Sequence, residues 1–210
     1  EKTSQHKALI NLIKTLDKSK NLTGTALKQA IENVVDIDSF LRFAALSYLV
    51  GNPDDMRNNV NNVYIYFHPV TGKAYFITYD NDWSLGLVWS DGNSAEWGLG
   101  VADLFPRDTR TALNGTVSNP LYYYTIMNQG GYDDGINRHE DFRVAYDLYV
   151  QAYVDSEAFS VATYQALFND YEANYGDVTS TVFTATGFIS TSLFEQWHAR
   201  ISATVANAYK

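Results

Sequence analysis

Apolar positions recur at helical spacing along most of this chain and alternate in one short region. Residues 6–17 (HKALINLIKTLD) put Leu9, Ile10, Ile13 and Leu16 at helical spacing. Thr23 or Thr25 is placed to cap a second short helix whose apolar residues are Ala26, Leu27, Ala30 and Ile31. Asp36 and Asp38 open a third helix containing Phe40, Leu41, Ala44, Ala45, Tyr48 and Leu49. Acidic residues there suit the positive end of a helix dipole. Gly51, Asn52 and Pro53 stop it. The period then changes to two. NVYIYFH sets Val63, Ile65 and Phe67 on one face and Tyr64 and Tyr66 on the other, and AYFITYD is similar. Thr71-Gly72-Lys73 between them is a turn signal, with His68 as a turn histidine.

From Trp83 to Asn119 the pattern is irregular and Gly-rich, with Trp83, Trp89 and Trp97. It predicts a long ordered loop, of the kind that forms a lid or a substrate segment. Helical periodicity returns over 120–128, 138–153, 158–175 and 193–208, punctuated by Gly130, Gly131, Gly135 and Gly176. The pattern as a whole predicts one α+β domain over residues 1–210, mainly helical, with an embedded β-hairpin.

Composition narrows the class. A chain of 210 residues that is 46% hydrophobic and 19% charged is long enough, and apolar enough, to bury a core. Aromatics reach 15%, with 16 Tyr, which suits wet core margins or an extended binding surface. The net charge of -9 argues against nucleic acid and anionic lipid as partners. Carboxylates nevertheless suit a metal-nucleotide complex. Without cysteine there are no disulfides, thiolate nucleophiles or Cys-based metal sites, a composition that fits an exported bacterial protein. No apolar run reaches membrane-spanning length, so no membrane insertion is expected. The chain begins without Met or a signal-like segment and reads as a piece of a longer protein.

The chemistry concentrates between Asp36 and Gly86. An apolar helix runs into the loop GNPDDMRNNVNN, a hairpin follows, and the second strand delivers Asp80 and Asp82. This resembles the order in the phosphoryl-transfer half of a kinase-like fold; the chemistry itself needs a carboxylate to accept the nucleophile's proton, and oxygen ligands to hold a cation on the phosphates. Asp54 or Asp55 is the candidate base, with Asp54 preferred because it follows Asn52 in an Asn-x-Asp order. Asn62, directly before the first strand, and Asp80 are the candidate metal ligands; Asn59 competes with Asn62 through its five-residue spacing from Asp54. Asp82 is a candidate second ligand that shares a side with Asp80 if the strand continues. Asp, Asn, Pro and Gly are also ordinary turn residues, so the joint order of elements carries the reading rather than any one of them. His6, His139 and His198 share no metal spacing, and Ser84 and Ser90 sit in no nucleophile-elbow pattern.

The segments VDIDSFLRFAALSYLVGNPDD and NNVYIYFHPVTGKAYFITYDNDWSLG resemble the core of the spore coat protein H (CotH) kinase-like family, over residues 35–86. NPLYYYTIM and HEDFRVAYDLYVQAY resemble its closing helices, within 120–210. Tyr79 stands where the family often has Trp before the metal-binding Asp. The resemblance implies the C-lobe of an atypical protein-kinase-like fold that uses ATP and Mg, or another divalent cation, to phosphorylate Ser or Thr of a protein substrate. It implies Asp54 or Asp55 as catalytic, with Asn62 and Asp80 binding metal and nucleotide. It also implies an extracellular or cell-surface location. Lys14, Lys18, Lys20 and Lys28 lie on predicted helices, not on a strand as an ATP-pairing lysine does. The N-terminal lobe is therefore expected outside this chain, and the chain alone is expected to bind ATP poorly. The competing expectation is a non-catalytic adhesion module on the same scaffold, binding carbohydrate or protein through its Tyr- and Trp-rich loops.

Overall fold

The computed structural model describes residues 6–19, 21–51, 55–57, 61–81, 84–85, 120–126, 140–185 and 191–209. The helices are α1 Lys7–Ser19, α2 Gly24–Val34, α3 Ile37–Val50, α4 Pro120–Thr125, α5 Glu140–Val154, α6 Val161–Ala185 and α7 Thr191–Ala208. Strands β1 Val63–Phe67 and β2 Ala74–Thr78 form a two-stranded antiparallel sheet. The mainly helical α+β class read from periodicity is the class observed.

The chain divides into two compact units. The first comprises Glu1–Ser47, Asp54–Asn81 and Arg107–Tyr149; the second comprises Tyr48–Pro53, Asp82–Pro106 and Val150–Lys210.

In the first unit, Asp36 joins helix to hairpin. Its carboxylate accepts from the Ser39 N–H at 3.1 Å, capping α3, and from the Tyr75 hydroxyl at 2.8 Å. Its own N–H donates to the Ala74 carbonyl at 3.0 Å, beside the Val35–Ala74 bridge. The core lies under this joint. Phe40 meets Phe76 and Tyr122 edge-on, with ring centroids 5.2 Å apart in each case. Phe40, Ala44 and Ala74 have no exposed surface. Truncating a buried Phe of this kind costs about 3–5 kcal/mol, so the hairpin is anchored to α3 by more than its own ladder.

In the second unit, Tyr164 stacks on Phe194 at 4.1 Å and Phe159 meets Phe194 at 5.7 Å, holding α6 against α7. Trp197, Ile201 and Val205 continue the buried face of α7.

Three details differ from the sequence reading. The expected apolar stripe of α1 is not its buried face: Leu9, Ile10 and Ile13 are exposed, whereas Leu12 is buried. Periodicity gave the helix, but not the side that meets α2. Gly176 does not end a helix, because α6 runs through it to Ala185; one interior Gly costs about 1 kcal/mol, which a long helix tolerates. The helix expected from Ala158 starts at Val161, preceded by a short 3-10 turn, Glu157–Phe159. Ser160 sets that start, since its hydroxyl accepts from the Thr163 N–H at 3.1 Å and so caps α6.

Candidate functional site

The hairpin supplies the first half of the site. Its register pairs Val63 with Thr78, Tyr64 with Ile77 and Tyr66 with Tyr75. His68 shapes the turn: its Nδ1 accepts from the Val70 and Thr71 N–H groups at 3.3 and 3.2 Å, and Gly72 takes φ +70°. At the opposite, open end the ladder adds one contact, from the Tyr79 N–H to the Asn62 carbonyl at 3.2 Å. This brings Asn62 and Asp80 to the same end of the sheet. Both are left-handed, at φ 50° and 53°. Asn and Asp enter that region more readily than other side chains with a Cβ. The strand does not continue through Asp80, as β2 ends at Thr78, so strand alternation does not decide where Asp82 points.

One face of the hairpin packs on the helices through Ala74 and Phe76, which are buried. Residues opposite one another in an antiparallel pair share a face. The other face therefore carries Tyr64, Tyr66 and Ile77, each at least half exposed. Tyr79 is also half exposed, and its ring lies 4.7 Å from that of Tyr64. Asp80 itself is exposed and Asn62 half-buried.

The loop after α3 supplies the second half. Asp55 and Arg57 are 4% and 2% exposed. Tyr122 of α4 and Tyr146 of α5 are also buried. Burial pushes the Tyr122 hydroxyl well above its ordinary pKa; the Asp55 charge adds to the shift, Arg57 opposes it and Tyr146 adds to it. Asp55, Arg57 and Tyr122 are thus all buried in the first unit, with both charges near enough to act on the Tyr122 hydroxyl. The Tyr122 hydroxyl has no hydrogen-bond partner among the described residues. The Asp55 carbonyl accepts from the Asn61 N–H at 3.4 Å, tying the start of the loop to its end.

Asp54, Asn59 and Asp82 lie outside the described residues, as do Trp83, Trp89 and Trp97. Among the described residues no group of three or more His, Asp or Glu side chains is placed to hold a metal ion. Asn62 and Asp80 offer hard oxygen donors, the type magnesium takes while keeping several waters. Lys28 does not face this site with a free charge: its ammonium pairs with Asp141 at 2.8 Å.

Arg57, Tyr122 and Tyr146 were not among the candidates drawn from the sequence. Arg57 had a weak signal, as a cation two residues from Asp55. The Tyr122 signal was hidden in the run LYYY, where only packing distinguishes one Tyr from the next.

A family model described as CotH kinase protein matches residues 1–207. The chain belongs to the CotH kinase family. No curated protein and no solved structure matches it. The CotH family match spans nearly the whole chain, beyond the 35–86 segment in which the motifs cluster. It makes this a kinase-like protein. No helix among the described residues is long and apolar enough to cross a membrane.

Proposed function

We propose that this CotH-family chain is the helical, catalytic lobe of an atypical protein kinase that transfers phosphate from ATP to Ser or Thr of a protein. The observation that carries this reading is the open end of the hairpin, where the Asn62–Tyr79 contact brings Asn62 and Asp80 together. Those two residues would hold the divalent cation of the nucleotide complex. A cation held there would supply positive charge to the nucleotide's phosphates.

The chain's own groups do the rest. Asp54 accepts the proton of the attacking hydroxyl. Asp55 is the weaker candidate, since a base must come within hydrogen-bond reach of its substrate and Asp55 is 4% exposed. Asp55 instead keeps the loop folded around Arg57 and Tyr122. The exposed Tyr64 and Tyr79 rings, 4.7 Å apart and close in the chain to Asn62 and Asp80, suit stacking of a planar group. A protein substrate and a surface location follow the family rather than any feature of the site.

The exposed tyrosine face also favours a second reading, a non-catalytic adhesion or carbohydrate-binding module. The deciding experiment is labelled-phosphate transfer from magnesium-ATP by the full-length protein, with Asp80→Asn beside it. Transfer by the wild type and its loss in the variant support the kinase reading. A wild type that transfers nothing but binds glycan through the tyrosine face supports the second.

A further inference from the structure

Strand β1 is an edge of its sheet, and its outer side is open. An antiparallel ladder bonds every second pair of residues. The Tyr79 N–H donates to the Asn62 carbonyl at 3.2 Å and the His68 N–H to the Lys73 carbonyl at 2.9 Å, so the bonded residues between them are Tyr64 and Tyr66. The backbone groups of Val63, Ile65 and Phe67 therefore point away from β2. Among the described residues no donor or acceptor meets them. Ile65 is exposed. The outer side of β2 is covered instead: Ala74 and Phe76 are buried, and the Ala74 carbonyl accepts from the Asp36 N–H.

A row of unpaired N–H and carbonyl groups is a template for another strand, and proteins usually blunt it with Lys, Pro or another charge. The strand VYIYF has none of these. Backbone groups at every second residue fit an extended backbone, the mode in which a peptide adds a strand to a sheet. The edge also has a place. Its first residue, Val63, follows Asn62, so one strand step of about 3.3 Å separates it from the candidate metal end. We infer that the outer edge of β1 takes an extended, proline-free segment of the protein substrate as a third strand, which delivers its Ser or Thr to the end of the hairpin where Asn62 and Asp80 lie. This inference rests on the phosphoryl-transfer reading. Continuity with that end is what selects a substrate, since a strand docked for another purpose gains nothing from finishing there. Main-chain bonds supply the affinity, so the substrate is recognised by its extended backbone rather than by one fixed sequence. Alternate side chains of the added strand fall beside the exposed Tyr64 and Tyr66, where apolar or aromatic groups make cross-strand contact.

The test offers the full-length protein, with magnesium-ATP, an array of short unstructured peptides that each carry one Ser. The best acceptor is then remade with single backbone N-methyl groups, which remove one donor at a time. Alternation is the expected signature: N-methylation at every second residue on one side of the Ser lowers kcat/KM about tenfold, and at the residues between it changes kcat/KM by less than about twofold. Ile65→Pro removes an outward N–H that the β1–β2 ladder does not use, the position at which an edge strand tolerates proline. It is expected to raise the peptide KM about tenfold, with the KM for ATP within about twofold of wild type. The peptide scan uses the wild type, so it decides even where Ile65→Pro disrupts the hairpin. Equal tolerance of N-methylation at all positions overturns the inference, as does a folded Ile65→Pro protein with the wild-type peptide KM. A wild-type dimer that Ile65→Pro dissociates in sedimentation gives the edge to a second copy and also overturns it. A wild type that phosphorylates no peptide defeats the functional reading instead. Binding to the same array then decides the docking: alternation in the N-methyl scan upholds a strand on β1, and its absence overturns it.

Discussion

Asp55 and Asp80 are both acidic, both belong to the first unit and both flank the hairpin, yet they sit in opposite environments. Asp55 is buried beside Arg57 and Tyr122, while Asp80 is exposed at a strand end in a left-handed conformation. A buried carboxylate near a guanidinium is committed to the protein's interior. An exposed one, held on a strained backbone at the end of a ladder, is available to something outside. On the proposed reading Asp55 serves stability and Asp80 serves chemistry, and each role can be tested separately.

The largest effect is expected from Asp55→Ala. It removes a charge from the interior that also buries Arg57, and uncompensated buried charge costs about 3–5 kcal/mol. Denaturant unfolding should show a loss of that order. A loss under about 1 kcal/mol would mean that Arg57 is satisfied without Asp55.

Asp80→Asn comes next and should do the reverse. Phosphate transfer should fall by about a hundredfold or more through loss of a metal-binding oxygen, with the unfolding midpoint unchanged. If the variant keeps wild-type turnover, Asp80 is a turn residue and the contrast collapses.

A smaller gain is expected from Tyr122→Phe. Its hydroxyl is buried without a described partner, and removing an unsatisfied polar group stabilises by about 1 kcal/mol. Destabilisation in a melt would show that the hydroxyl contributes to holding Asp55 or Arg57.

The smallest effect lies on the rim of the same unit. The Asp38 carboxyl is held below its ordinary range by the hydrogen bond from Tyr149 and then by Arg42, which is 2.9 Å away. A lowered folded-state pKa stabilises above the unfolded value, about 3.9 for Asp. That contribution is lost as pH falls through the lower folded value. The stability gap between wild type and Asp38→Asn should therefore be flat at neutral pH and close only in the acid range below about pH 4. It should also shrink in salt, because the pair is exposed. A gap that persists at low pH would place its origin in packing, such as the Arg42 stack 4.5 Å over the Tyr149 ring.

Much of this was legible in the chain. Local signals determine the elements: the Asp36 cap, the helical run from Phe40 to Leu49, the alternation of VYIYF, and the turn at His68–Gly72. They work because caps, periodicity and turn chemistry act over a few neighbouring residues, which a sequence displays directly. The order of loop, Asn, hairpin and Asp also points to the CotH family, which the family match shows.

Only the tertiary structure decided which of those residues meet. No local rule buries Leu12 rather than Leu9 and Ile13, or puts Tyr122 beside Asp55. Nothing near Gly51 announces the indole of Trp197 that a side chain would strike. Burial and close approaches of this kind are set by contacts between residues far apart in the chain. Their cost and gain appear only when the whole core closes, so the sequence names the candidates and the packing chooses among them.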